Sequence, residues 1–116
     1  MTLELFISQL KTNPESIDFE TLITLVDTLY VFTPTEFVNN GLVNKAGENN
    51  GSCKIFAFAQ LHHLTKAQTL YCFGRFYREE VLQHPEGDNH QNIRTLMASG
   101  EALAGVKFKG VVLTLK

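Results

Sequence analysis

The sequence predicts an α+β fold that is mostly helical, with five to six helices and a small antiparallel sheet in a single domain, residues 1–116. Two observations predict the elements. Apolar residues recur at helical spacing through most of the chain, whereas residues near 37–44 and 106–115 have the alternation and the glycine turns of antiparallel strands. A third observation sets the size. The 116 residues, 44% hydrophobic and 19% charged, match one globular unit.

Two helices are predicted in the first thirty residues. Apolar side chains recur at helical spacing over residues 3–10, and Thr2 precedes them as a typical N-cap. Asn13-Pro14 ends this helix. A second amphipathic helix is expected from about residue 16 or 18 to residue 30, because its apolar positions again fall on one face.

The next segment combines a cap signal with a turn signal. Thr33-Pro34-Thr35-Glu36 has the form of a capping box with proline at the first helical position, and it predicts a single helical turn or a tight corner. Asn40-Gly41 lies between two apolar pairs and predicts a hairpin turn. Residues 44–52 are polar and glycine-rich, so they are expected to form a loop.

Two further helices are predicted after this loop. Ser52 is expected to cap a helix over about residues 52–64, which is apolar nearly all round and therefore buried. A central strand over residues 55–59 is the alternative interpretation. Thr65-Lys-Ala-Gln68 is a second capping box, and it opens a predicted helix that reaches about residue 82.

The last part of the chain is expected to add one helix and the remaining strands. Asp88-Asn-His-Gln91 has the shape of a third capping box, and Gly100 is a natural stop for the helix that it opens. Residues 106–115 alternate in their first part, and Gly110 splits them into two short strands or one bulged strand. The sheet is therefore predicted to combine residues near 37–44 with residues 106–115.

Charge and aromatic spacing argue against nucleic-acid binding. Residues 1–50 hold seven acidic and two basic residues, whereas residues 51–116 hold five acidic and eight basic residues. The basic residues are scattered rather than clustered, which favours two halves of one domain over a phosphate-binding surface. Phe73, Phe76 and Tyr77 have the helical spacing of core residues rather than of a stacking platform.

Membrane, metal and cofactor functions also find no support in the sequence. The longest apolar stretch, Ile55–Ala59, is far below the roughly 20 residues that a membrane helix needs. Cys53 and Cys72 lack zinc spacing, and the adjacent His62-His63 cannot chelate together in a helix. We expect no metal and no cofactor. A cytoplasmic location is expected because the first residues lack the features of a secretory signal.

Several motifs together resemble the HopJ family, small bacterial proteins named after a plant-pathogen type III effector. The longest motif is Ala46-Gly-Glu-Asn-Asn-Gly-Ser-Cys-Lys-Ile-Phe-Ala-Phe-Ala-Gln60, and the likeness extends over most of the chain. The sequence departs from the family where it has Gly100-Glu101 in place of a Gly-Trp pair. The other motifs are Phe32-Thr-Pro-Thr-Glu-Phe37, Thr69-Leu-Tyr-Cys-Phe-Gly74, Phe76-Tyr-Arg78 and His90-Gln-Asn-Ile-Arg94.

The resemblance implies neither an enzymatic activity nor a cofactor. It links the chain by name to injection into a host cell. Injected effectors usually begin with a disordered stretch rich in serine and threonine, whereas this chain begins with an apolar-periodic segment. The first residues therefore do not support injection, and a cytoplasmic protein remains the expectation.

One polar cluster is the candidate site. The loop before the residue 52 helix and the start of the residue 91 helix both carry side chains able to bind a ligand, and both helices have free first-turn N–H groups. We expect the two segments to meet in one pocket that binds a small anionic ligand, with Arg94 paired to Glu48. The residues of this predicted pocket are Glu48, Asn49, Ser52, Cys53, Lys54, His90, Asn92 and Arg94.

Two functions remain open from the sequence. The preferred one is a non-catalytic binding or interaction domain for a protein or a small anionic ligand. The alternative is a small hydrolase or transferase in which Cys53, activated at a helix start, is the nucleophile and His90 the base. Each of these two residues also has an ordinary structural interpretation, as a small buried hydrophobe and as a hydrogen-bonding partner of a loop.

Overall fold

The computed structural model describes residues 1–100 and 102–116, so Glu101, where the sequence departs from the family, lies outside the described residues. The mostly helical α+β class is confirmed. The helices are α1 (Leu3–Thr12), α2 (Phe19–Leu29), α3 (Asn50–Leu61), α4 (Lys66–Tyr71), a π-helix (Phe76–Val81) and α5 (Gln91–Ala98), with short 3₁₀ turns at Pro14–Ser16 and Ala102–Gly105. The strands are β1 (Tyr30–Phe32), β2 (Phe37–Asn39), β3 (Leu42–Asn44), β4 (Val106–Phe108) and β5 (Leu113–Leu115).

The hairpin predicted at Asn40-Gly41 is confirmed. Asn40 and Gly41 have φ angles of 49° and 96°, the left-handed pair that a two-residue turn between antiparallel strands requires. The turn joins β2 to β3 with Val38 opposite Val43. β4 pairs with the other edge of β2, with Phe37 opposite Phe108, so β2 is the centre of a three-stranded sheet.

The predicted single sheet is only half right, because the C-terminal segment divides between two sheets. Residues 106–108 pair with β2 as expected, but β5 pairs with β1 in a separate two-stranded sheet. Tyr30 was expected to end α2 and instead starts β1, opposite Leu115. The helix stops at Leu29 because the chain is extended from Tyr30 onward, where the backbone pairs with β5.

Of the two structures predicted at Thr33-Pro34-Thr35-Glu36, a helical turn or a tight corner, the helical turn does not form. These four residues form no helix and no strand between β1 and β2. The Thr33 N–H donates to the carbonyl of Val112, and the Thr35 hydroxyl donates to the carbonyl of Thr33 rather than capping a helix. The backbone bond to Val112 holds this segment against the C-terminal strand region, and it takes precedence over the local capping signal.

Helix α3 runs through the centre of the core. Ile55, Phe56, Phe58 and Ala59 are completely buried, which confirms the buried helix and excludes the strand alternative. Aromatic rings from other elements surround it: Phe37 of β2 packs edge-on against Phe56, with ring centroids 6.0 Å apart. Burial of these large side chains is the main stabilising term of the fold.

The long helix predicted from residue 65 to residue 82 is broken in two. The capping box of Thr65 and Gln68 forms as expected at the start of α4. The helix stops at Tyr71 and resumes as a π-helix from Phe76, with Gly74 at a left-handed φ of 59° between them. A Cβ on Gly74 would lie 2.6 Å from the backbone nitrogen of Phe19, so this break allows the start of α2 to approach.

Candidate functional site

A cleft of about 530 Å³ opens where the β2–β3 hairpin meets the starts of three helices, α2, α3 and α5. Its volume is in the range of small-molecule sites, and its walls combine aromatic and amide side chains. The two polar segments that the sequence predicts to meet, residues 44–52 and 88–94, both contribute to it. The lining residues are Phe19, Leu42, Val43, Asn44, Asn49, Gly51, Ser52, Phe73, Phe76, His90, Gln91, Asn92 and Ile93.

A network of buried asparagines joins the hairpin to α5 beneath the cleft. Asn92 is 5% exposed, and its Nδ2 donates to Asn44 Oδ1 at 2.8 Å. Asn92 Oδ1 in turn accepts from Asn39 Nδ2 at 3.1 Å and from Asn44 Nδ2 at 3.2 Å. Asn49 Nδ2 donates to Asn44 Oδ1 at 2.7 Å and extends the network to the rim. Since buried amides are costly unless bonded, this network fixes the polar wall.

Helices α3 and α5 begin at the cleft in the same way. Asn49 and His90 are their N-cap residues, both left-handed with φ of 52°, and neither side chain caps its helix. The first helical residues therefore differ from the predictions. Ser52 is not the cap of α3, and the capping box predicted at residues 88–91 does not form, because Gln91 Nε2 donates back to the carbonyl of Asp88.

The apolar wall consists of aromatic rings in edge-on contact. Phe19 and Phe76 are partly buried, with ring centroids 5.1 Å apart at 75°. The absence of a side chain at Gly51 permits this arrangement, since a Cβ there would lie 2.7 Å from Phe19 Cζ. The expectation of core packing holds for Phe73, which is 3% exposed, whereas Phe76 is only partly buried, and both rings line the cleft.

The predicted catalytic pair is not assembled. His90 Nε2 lies 2.8 Å from Glu80 Oε1, and its ring packs on Phe76 with centroids 5.3 Å apart. Cys53 is 1% exposed, does not line the cleft, and directs its Sγ to the carbonyl of Thr35 at 3.8 Å. No hydrogen bond joins Cys53 to His90.

The expectation of a reactive thiol at Cys53 is also wrong. Burial raises the pKa of Cys53 to about 11. Helix α3 begins at Asn50, so Cys53 is its fourth residue, and its N–H is already bonded to the carbonyl of Asn49. The thiol therefore lacks the helix-start environment that stabilises a thiolate.

Neither cation expected at the site reaches the cleft. Lys54 Nζ lies 2.8 Å from Asp27 Oδ1 and 4.9 Å from the ring centroid of Phe32. Arg94 donates from Nε to the carbonyl of Asn89 at 2.6 Å and from Nη1 to the carbonyl of His84 at 2.9 Å. Both side chains tie neighbouring segments together instead of facing a ligand.

The expected Arg94–Glu48 pair is likewise absent. Glu48 Oε1 accepts from the backbone N–H of Lys45 at 2.9 Å and closes a turn within its own loop. Asn49, Ser52 and Asn92 do line the cleft, and their contact with a ligand stays a prediction.

Sequence reasoning missed the members of the site that lie outside the two polar loops. Phe19 starts α2, far from the loops in sequence, and Leu42 and Val43 belong to the hairpin strand β3. Asn44 lies in the predicted loop, but its bonds to Asn92 were not predicted. The available signal was that Asn39, Asn44 and Asn92 lie at or near the ends of predicted strands and helices. A buried side-chain amide needs hydrogen-bond partners, and other amide side chains can supply them. Within the described ranges, no group of three or more His, Cys, Asp or Glu side chains could hold a metal ion, and no helix could cross a membrane.

Comparison with known proteins gives the family. The family model described as HopJ type III effector protein matches residues 3–113. The crystal structure of VPA0580, described as a protein of unknown function, superposes with a TM-score of 0.94 at 50% sequence identity, covering 100% of this chain and 95% of that one. No curated protein matches the chain. The match over residues 3–113 includes both walls of the cleft, and the chain belongs to the HopJ type III effector family.

Proposed function

We propose that the protein is a non-catalytic binding domain and that the cleft is its small-molecule site. The observation that carries this proposal is the combination of a cavity of about 530 Å³ with a rigid aromatic wall and a rigid amide wall. Pockets that bind small ligands are largely preformed, with apolar surface for affinity and a few fixed polar groups for orientation. The asparagine network supplies that rigidity here, since Asn44 and Asn92 hold each other in place.

The alternative, a cysteine-dependent hydrolase or transferase, draws no support from the geometry. It requires a thiolate beside a base, within reach of a substrate. Cys53 is buried and does not line the cleft, and burial raises its pKa to about 11. His90 is paired with Glu80.

We further propose that the domain acts in the bacterial cytoplasm. Both cysteines are free rather than disulfide-bonded, as is usual in a reducing compartment. The family name is compatible with injection into a host, and secretion assays with the full chain distinguish the two locations.

Protein-observed NMR with a diverse fragment library tests the binding site. The expected result is that bound fragments shift the backbone amides of residues 49–52 and 90–93. Val43 lies at the rim and is 57% exposed, so Val43→Trp is expected to reduce fragment binding at the cleft. Val31→Trp is the matched control, because Val31 is also the exposed middle residue of a three-residue strand but lies outside the cleft.

Two outcomes contradict the proposal. In the first, no fragment in the library shifts these amides. In the second, fragments bind equally well to the Val43→Trp and Val31→Trp variants.

A further inference from the structure

The ligand class follows from the side chains of the cleft, and this inference rests on the proposed binding function. No Lys, Arg, Asp or Glu lines the cleft, as far as the structure describes the chain. The titratable side chain that does line it, His90, is already paired with Glu80. A fully charged ligand would therefore lose its hydration without gaining a charged side-chain partner, which disfavours both anions and cations.

The aromatic wall favours a flat ligand. Phe19 and Phe76 are fixed at 75° to each other, and the ring of His90 packs against Phe76. Rings held in this way offer planar apolar surface to a third ring, in stacked or edge-on contact. A flexible aliphatic ligand could not use that geometry as well, because it would lose more conformational freedom on binding.

The amide wall offers donors and acceptors side by side. Asn44 has no capacity left, because its Nδ2 donates to Leu42 and Asn92 and its Oδ1 accepts from Asn49 and Asn92. Asn92 Nδ2 makes one hydrogen bond and retains a second N–H. Asn49 Oδ1 and the Ser52 hydroxyl accept and donate nothing among the described residues. The unused groups thus complement a ligand edge that carries a carbonyl beside an N–H.

We propose that the cleft binds a small, uncharged, planar molecule with an amide edge, such as an aromatic carboxamide or a pyrimidine lactam. Its ring would pack on Phe19 and Phe76, and its edge would bond Asn49, Ser52 and Asn92. The amide carbonyl also meets the first-turn N–H groups of α3 and α5 without placing a net charge in a site that lacks cations.

Three probes of similar size test the class by NMR titration: nicotinamide and uracil, which have the amide edge, and nicotinate, which replaces that edge with a carboxylate on the same ring. Nicotinamide or uracil is expected to bind at least tenfold more tightly than nicotinate, with shifts at residues 49–52 and 90–93. A preference for nicotinamide assigns the carboxamide class, and a preference for uracil assigns the lactam class.

Variants check that the named side chains carry the preference. Asn49→Ala is expected to weaken binding of the preferred probe roughly five- to tenfold, the range for one or two lost hydrogen bonds. Asn50→Ala, the neighbouring exposed residue outside the cleft, is the control and is expected to bind normally. Phe76→Leu retains apolar volume but removes the ring and is expected to weaken both amide probes.

Equal or tighter binding of nicotinate refutes the neutral class in favour of an anionic ligand. If library fragments occupy the cleft but none of the three probes does, the amide class is wrong while the binding function stands. If nothing at all binds there, the proposed function fails as well.

Discussion

Replacing Asn92 with alanine is a direct test of the network that holds the cleft together. The substitution removes three side-chain hydrogen bonds, from Asn39 Nδ2 at 3.1 Å, from Asn44 Nδ2 at 3.2 Å and to Asn44 Oδ1 at 2.8 Å. At about 0.5–1.5 kcal/mol each, the gross loss is about 1.5–4.5 kcal/mol.

The surviving contacts lower this figure. Asn39 Nδ2 still donates to the backbone carbonyl of residue 92 at 3.0 Å, and Asn44 Nδ2 still donates to the carbonyl of Leu42 at 3.1 Å. Asn44 Oδ1 keeps its bond from Asn49. No partner is left without any hydrogen bond, so the free energy of unfolding is expected to fall by an amount in the lower half of that range, about 1.5–3 kcal/mol, which corresponds to roughly 6–12 °C in Tm.

Urea denaturation followed by circular dichroism measures this loss as a shift in midpoint at constant m-value. Asn50→Ala, at an exposed position, is the control and is expected to change the stability by no more than about 0.5 kcal/mol. A double-mutant cycle of Asn44→Ala with Asn92→Ala is expected to give a coupling energy of about 1 kcal/mol or more. A loss for Asn92→Ala no larger than that of the control would refute the network's role, as would additive effects in the cycle.

Two further predictions concern the break after α4 and the buried thiols. Gly74→Ala is expected to lower the free energy of unfolding by about 2–4 kcal/mol in denaturant titrations, because the new Cβ would contact the backbone of Phe19 and φ is left-handed. Gly100→Ala is the control and is expected to be nearly neutral, because its Cβ meets nothing within 4 Å. Similar losses for both variants would contradict the close approach at Gly74. Cys53 and Cys72 are expected to resist iodoacetamide at pH 7 until the protein is unfolded, and fast labelling of the native state would overturn their burial. Since burial raises their pKa values above the ordinary 9.0, to about 11 and about 12, the unfolded state releases these protons first, and stability should decline as the pH rises above 9.

Local signals in the sequence predicted the helices and the hairpin well. The capping box at Thr65 and the turn at Asn40-Gly41 both formed, because the chemistry that specifies them lies within four residues. Residues 33–36 carry an equally clear cap signal and nevertheless form no helix, since the Thr33 N–H donates to the remote carbonyl of Val112. Strand β1 was missed for the same reason: its partner strand β5 is remote in sequence, and no local pattern at Tyr30 indicates a strand.

The candidate site was predicted in outline only. Both polar segments line the cleft, but the identity of the facing side chains depends on helix phase. Helix α3 starts at Asn50 instead of Ser52 and packs with Cys53 on its buried face, so the thiol lies in the core, 1% exposed, instead of facing the cleft. Arg94 was expected to reach the other loop, yet the carbonyls of its own segment were nearer. Packing decides which face of a helix is buried and which partners a long side chain contacts, and a single sequence does not show the packing.

The pairing of β1 and β2 with strands near the C-terminus has a consequence for biosynthesis. The β2–β3 hairpin closes across two residues, a step that takes on the order of microseconds. In contrast, Tyr30 cannot pair until Leu115 has been synthesised, and Phe37 cannot pair with β4 until Phe108 has been synthesised. At ribosomal elongation rates this delay is on the order of ten seconds. During that time two strand edges have no partner, so the nascent chain, rather than the finished fold, is the form most exposed to aggregation.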